Sequence, residues 1–449
     1  MDRTLIDQLF ELGKARGFSA QEIFYQESKD LAISVYEGEV DRFTSSQEGG
    51  MSYRGILNGK MGYAYTESVD ASVLEFLVNE AAENAEVIES EDVVFLHDGS
   101  GRYKEMDFYN PKLDAVTVEE KIKILLKLEK ELKSFDPRIK RISNNRYSES
   151  ASYKWLKNTE GLDVTDRQNH CLAYAMVIAE ENGDTRTGFA YDLSRSFEDL
   201  NIGKIVEESA SEALSLLGAE PIESGSMPVV FKNDVFAQFF SAFMGIFNAE
   251  RVQKELSPLK GRINDVIASE KLTLIDDPHL KNGMASSAFD AEGVATFSKR
   301  IIENGILRSF LYNLKTAHKD GIKSTGNASK ASYKGTLGIA PFNIYIEGGE
   351  NTLTEMMETL SEGIYITGLQ GLHAGLDPVS GDFSLQSNGY TIVGGKVDRP
   401  VSQITVSGNF YDLLNQITGI ANDLEFTILG SGYMGSPSVS VSNLTISGK

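Results

Sequence analysis

The residues best placed for proton transfer are carboxylates that stand close together: Asp276 and Asp277 in IDDP, and Asp290 and Glu292 in FDAEG. General acid–base chemistry needs such pairs, but turns and caps use them as well. With no nucleophile or metal ligand beside them, the turn reading is preferred, and a hydrolase built on Asp290 and Glu292 is the weakest of the functional readings. The histidines, His97, His170, His279, His318 and His373, are scattered, and no two stand i, i+4 or i, i+5 on a helix, the spacing that would aim both rings at one zinc ion. The single cysteine, Cys171, lies in the alternating segment HCLAYAMVIA and reads as a buried, inert thiol. There is no G-x-x-x-x-G-K-[ST] phosphate cradle and no G-x-S-x-G elbow. Gly430–Gly435 reads GSGYMG, but a dinucleotide site needs a helix next, and Ser436-Pro437-Ser438-Val439 reads as a strand. A glycine hairpin fits better.

The segment Gly368–Gly389, GLQGLHAGLDPVSGDFSLQSNG, has a composition that no core strand or helix needs. Glycine permits sharp turns and close backbone approach. Polar groups set between glycines suit a shaped loop facing a partner, and such loops carry function more often than cores do. On composition alone, a long solvated turn is the simpler reading.

The chain has 449 residues, enough for two or three domains. Its 43 basic and 65 acidic residues give a formal charge of −22, which argues against nucleic acid and anionic membranes as partners. The N-terminal MDRTLIDQLFELGKARG is amphipathic and lacks the apolar run of a signal peptide, and the most apolar stretch, residues 235–247, is too short to span a bilayer. One cysteine excludes an internal disulfide, so a cytoplasmic location is expected.

These residues must be carried by mixed helices and strands without regular βαβ alternation, which predicts an α+β fold of largely antiparallel sheets with packed helices. Periodicity predicts helices over 2–16, 69–87 (opened by Asp70) and 200–217, and one over 117–136 with Thr117 and Glu120 as a capping box. A long phenylalanine-rich core helix is expected over 235–251, capped by Asp234, with shorter ones near 351–362 and 409–419. Asn58-Gly59 and EENGDT mark tight turns. The aperiodic stretch 219–228 places a domain boundary, giving an N-terminal α+β domain of residues 1–222, with a sub-boundary near 100–115, and a β-rich C-terminal domain of residues 223–449.

The order SMPVVF, a long helix, FDAEGVAT, ILRSFLYNLKTA, GLQGLHAGLDPVSGDFSLQSNGY and ITVSGNFYDLLNQI resembles the TldD/PmbA family, and specifically its PmbA (TldE) branch. The resemblance implies a TldD–TldE heterodimer that degrades unfolded peptides, with roles in processing peptide-antibiotic precursors and removing antitoxins. It also implies that the TldD-type subunit holds a metal, zinc or iron, through an HExxxH helix and a later cysteine motif. Here the corresponding positions are Ser241, Ala242 and Ile246, and the late motif LGSGYMGSP has no cysteine. The resemblance therefore implies a non-catalytic subunit that itself needs no cofactor, with the metal in the partner. Gly368, Gly371, His373, Gly375, Asp377, Asp382 and Ser384 are then the residues expected to face peptide or partner. The alternative is a stand-alone homodimeric peptide-binding or regulatory protein without proteolysis, and the family's association with DNA gyrase would belong there.

Overall fold

In the strand Ala20–Tyr36, the apolar residues Ile23, Tyr25, Ile33 and Val35 are all buried, and their spacing puts them on one face of a sheet. The computed structural model describes residues 3–89, 92–428 and 433–449. Six antiparallel strands form the first sheet, in the order Lys60–Thr66, Glu39–Leu57, Ala20–Tyr36, Ile139–Asn158, Asp163–Glu181 and Asp184–Ser194. The expected tight turns are present, with positive φ at Asn58 and Gly59 (51° and 75°) and at Asn182 and Gly183 (51° and 84°). The helices Arg3–Arg16 and Leu74–Glu86 pack Ile6, Leu9 and Leu77 against Ile23, Met51 and Tyr53. Farther along, Val118–Phe135 and Ile202–Ser215 pack Leu125, Leu128 and Ile205 against Tyr147, Ala173 and Val177. Thr117 and Glu120 form the capping box that the sequence predicts.

The other face of this sheet meets the second half of the chain, where Phe24 and Leu156 join Phe289 and Tyr333 in one cluster. A second sheet runs Ile306–Leu307, Lys299–Glu303, Leu274–Asp276, Asn343–Ile346, Tyr433–Ser436, Glu425–Phe426. The third runs Lys396–Asn409, Asp382–Val393, Glu362–Gln370, Gly225–Phe231, Val439–Ser447, Ile417–Ile420. Lys396–Asn409 also pairs with Val439–Ser447, so five strands close on themselves as a small barrel. Two pairings are parallel, Gly225–Phe231 with Glu362–Gln370 and Asn343–Ile346 with Tyr433–Ser436. The rest of these three sheets is antiparallel, as expected for this α+β fold.

The phenylalanine helix is shorter than its periodicity predicts. It runs Asn233–Phe243, tightens to a 3-10 turn over Met244–Phe247, and gives way to Ala249–Gln253. Lys232, not Asp234, is its N-cap residue. Phe239 packs edge-on against Phe383 at 4.9 Å between centroids, and Phe243 stacks on Phe410 at 4.0 Å. The later helices are also shorter than expected, Leu353–Glu358 and Phe410–Asn415. Among the described residues no helix is long and apolar enough to cross a membrane.

Candidate functional site

Two sheet edges approach each other at Tyr191 and Phe426. Asp184–Ser194 is the last strand of the first sheet and Glu425–Phe426 the last of the second. Together with the helices Ile202–Ser215 and Asn233–Phe243 they frame a cleft of about 740 Å³. Its wall mixes the rings of Tyr191, Tyr365 and Tyr390 with lysines and carboxylates.

Lys204 Nζ stands 3.1 Å from Glu425 Oε1, and Lys232 Nζ 3.1 Å from Asp234 Oδ1. Burial works against each ammonium, but the adjacent carboxylate outweighs it, and both lysines are raised above their ordinary pKa. Burial raises Glu208 and Glu212 above the usual carboxylate range. Glu212 Oε2 accepts the Phe189 N–H at 2.8 Å. Ser215 Oγ donates to the Glu212 carbonyl at 3.1 Å and is hydrogen-bonded to the Tyr390 hydroxyl, so its contacts are a peptide oxygen and a phenol and not a general base. The cleft thus offers aromatic faces, donors, acceptors and both signs of charge, which suits holding a chain by backbone and side chains.

On the helix Asn233–Phe243, Asp234 and Gln238 stand four residues apart and both line the cleft. Ser241 lies about one turn further on and is exposed. Ala242 is half-buried, and Ile246 is 1% exposed within the phenylalanine core. Among the described residues, no group of three or more His, Cys, Asp or Glu side chains comes together to hold a metal ion. Gly430 to Gly432 of the GSGYMG motif lie outside the described residues, its last three residues belong to the strand Tyr433–Ser436, and the strand Val439–Ser447 follows.

Gly368–Gly389 is mostly a hairpin and not one long loop. Gly368 pairs with Asn388, Gln370 with Gln386, and residues 371–381 make the turn. A side chain at Gly368 would collide with Asn388, whose Oδ1 would lie 2.5 Å from the added Cβ. Gly371 has φ +85° and its carbonyl accepts the Gly375 N–H at 2.7 Å. Asp377 Oδ1 accepts the Val379 N–H at 2.8 Å, Asp382 Oδ1 accepts from Asn409 Nδ2 at 2.9 Å, and Ser384 Oγ is bonded to Ser407 Oγ at 3.1 Å. His373, Asp377, Asp382 and Ser384 are all exposed, and Phe383 and Leu385 between and beside them face the core.

None of those four lines the cleft. The hairpin's base does, through Tyr365, Thr367 and Tyr390. Tyr365 and Tyr390 are paired across the ladder and stack with centroids 6.5 Å apart. They fall just outside the glycine-rich segment, although Tyr390 ends the block GLQGLHAGLDPVSGDFSLQSNGY that carries the family resemblance.

The remaining reactive groups are structural. Asp290 accepts N–H groups from Glu292, Val294 and Ala328 at 2.9–3.0 Å, and Glu292 accepts that of Leu314 at 2.7 Å. Asp277 caps a turn by accepting the His279 N–H. Asp276 departs from the turn reading: it is fully buried, with Lys299 Nζ at 3.1 Å and Asn327 Nδ2 at 2.8 Å. Cys171 is fully buried, and burial pushes its thiol up to about 12.

Family models describe residues 22–85 as PmbA/TldA metallopeptidase domain 1, residues 111–217 as the central domain and residues 224–448 as the C-terminal domain. The chain is 27% identical to Metalloprotease PmbA of Escherichia coli O157:H7, over 94% of this chain and 91% of that protein. It is 25% identical to a Metalloprotease TldD homolog of Haemophilus influenzae, over 98% and 92% of the two chains. Among solved structures, a Thermotoga maritima protein described as a candidate modulator of a DNA gyrase superposes with a TM-score of 0.91 at 32% identity, covering 99% of each chain. TldE from Thermococcus kodakarensis also gives 0.91, at 25% identity, covering 99% of this chain and 100% of that one. With family domains matched along nearly its whole length and a TldE structure this similar, the chain belongs to the PmbA/TldD metallopeptidase family, on its PmbA (TldE) branch.

Proposed function

We propose that this chain is a non-catalytic subunit that pairs with a TldD-type metalloprotease and helps hold unfolded peptide for cleavage at the partner's metal. One observation carries the reading. The helix Asn233–Phe243 and the turn after it carry Ser241, Ala242 and a buried Ile246, the residues that the family resemblance sets against the HExxxH ligands. A catalytic zinc site takes about three protein ligands, usually imidazole and carboxylate, plus a base that activates water. Ser241, Ala242 and Ile246 supply none of these, so the metal that the family name implies does not fit this helix.

In this reading the cleft beside that helix receives extended peptide. Strand addition at its sheet edges gives affinity without sequence preference, because the bonds are to backbone. The exposed tip of the hairpin, with His373, Asp377, Asp382 and Ser384, faces the partner subunit. The experiment is degradation of an unfolded peptide by this chain, by a TldD-type partner, and by the two mixed. Cleavage is expected from the mixture and not from this chain. Chelator-sensitive cleavage by this chain alone would overturn the reading.

A further inference from the structure

The face of the first sheet that meets the C-terminal half carries a second buried cluster. Glu22 is paired in register with Arg54, and Phe24 with Ser52. Arg54 Nε donates to Glu22 Oε1 at 2.7 Å, and its Nη1 lies 4.0 Å from Glu292 Oε1. Its Nη2 is buried and, among the described residues, has no hydrogen-bond partner. The nearby carboxylates meet other donors, Glu22 Oε1 that of Arg54 Nε. Glu22 Oε2 receives Asn158 Nδ2 at 3.4 Å, Glu292 Oε2 receives the Leu314 N–H, and both oxygens of Asp290 are taken by backbone N–H groups.

Opposite Arg54, Lys330 Nζ donates to Ser52 Oγ at 2.6 Å and lies over the rings of Phe24 and Tyr63, at 4.7 and 4.9 Å from their centroids. Its other ammonium hydrogens have no carboxylate to meet, since among the described residues Lys330 forms no ion pair. A buried cation held in no ion pair costs several kcal/mol (order of magnitude), which the through-space pull of Glu22 offsets only in part. Both cationic groups and the Arg54-bound Glu22 line one cavity of about 170 Å³, walled also by Phe24, Met61, Tyr63 and Leu337.

We propose that this cavity is a binding site for a carboxylate, one oxygen taken by Arg54 Nη2 and the other by Lys330 Nζ, with the ligand's apolar part against Phe24, Met61 and Leu337. A guanidinium with a free N–H and an ammonium with spare donors are the groups that recognise carboxylates. A singly charged ligand fits better than a phosphate, because Glu22 and Glu292 already place negative charge beside Arg54. The site is separate from the large cleft and does not depend on the peptide-handling reading.

The test is calorimetry on the full chain with N-acetyl-leucine and its amide, and with Ala-Ala-Leu as free acid and as amide. Each acid that binds should bind at least about tenfold more tightly than its amide, and Lys330→Met should lose about tenfold or more while keeping the native circular dichroism. Burial, with Arg54 nearby, holds Lys330 near 7. Affinity for acids should therefore fall about tenfold or more from pH 6 to pH 8.5 in the wild type and by clearly less in Lys330→Met, which keeps Glu22, Asp290, Glu292 and Tyr63 and so reads their contribution separately. Binding of both acids supports a site for free carboxylic acids, and binding of the peptide acid alone supports a chain-terminus site. Equal binding of acids and amides, no binding at millimolar concentration, or unchanged affinity in folded Lys330→Met and Lys330→Gln would overturn the proposal.

Discussion

Tyr191 donates its hydroxyl hydrogen to the Phe426 carbonyl at 2.8 Å, joining the last strand of the first sheet to the last strand of the second. The two residues are 235 positions apart. Tyr191 and Glu425 both line the cleft, and Lys204, on the helix Ile202–Ser215, adds an ion pair to Glu425.

Tyr191→Phe removes that bond and leaves a carbonyl without its donor. The expected loss is about 1 kcal/mol, within the ~0.5–1.5 kcal/mol of an ordinary hydrogen bond. Urea denaturation measures it, and amide exchange should speed up in Glu425–Phe426 more than elsewhere. Unchanged exchange there would show that the bond does not hold the two edges together.

Cys171 should be unreactive in the folded protein. Its side chain is fully buried, and its thiol lies far above neutral pH. The thiolate is the reactive form, so iodoacetamide at pH 8 should label it only after denaturation. Stoichiometric labelling under native conditions would contradict the burial.

Lys330 predicts a pH-dependent stability. Its folded pKa of about 7 is below the ~10.4 of a free lysine, so the folded chain binds fewer protons than the unfolded chain between those values. Stability from this group is therefore present at high pH and lost as pH falls from about 10 to 7. Asp290, raised to about 8 by burial and by Glu292, acts oppositely: its contribution is present at low pH and lost as pH rises from about 4 to 8. Lys330→Met removes only the lysine contribution. It should gain roughly 2–4 kcal/mol over wild type at pH 6 relative to pH 10, at about 1.4 kcal/mol per pKa unit. Denaturation at both pH values checks this, and a difference independent of pH would refute it.

Features encoded by neighbouring residues were legible in the sequence. Asn58-Gly59 and Thr117 with Glu120 specify their turn and cap locally, and both are where the sequence puts them. The helix from Asn233 is shorter than the sequence predicts because the phenylalanine spacing continues to Phe247, while the backbone tightens after Phe243. The cleft and the carboxylate site could not be read in this way. Arg54 and Lys330 lie on segments 276 positions apart, in a strand and in a loop, and nothing local in either segment marks a partner. Glycine content drew attention to the tip of the Gly368–Gly389 hairpin, whereas Tyr365 and Tyr390, ordinary strand residues, are what reach the cleft.

The hairpin's two ends make separable predictions. At the tip, His373 and Asp377 are exposed and pack against no core, and the Asp377 carboxylate holds the Val379 N–H, so His373→Ala with Asp377→Ala should cost about 1 kcal/mol, the worth of that one hydrogen bond. If the tip faces the proposed partner, the pair should weaken association with a TldD-type subunit about tenfold while peptide binding to this chain is unchanged. In the cleft, Glu208→Gln with Lys204→Gln removes one charge of each sign at no net cost in charge. That pair should weaken binding of a fluorescent unfolded peptide about tenfold and leave subunit association intact. Analytical ultracentrifugation reads the first effect and fluorescence anisotropy the second. Were the tip variant to lose peptide and the cleft variant to lose the partner, the roles given to the two ends of the hairpin would have to be exchanged.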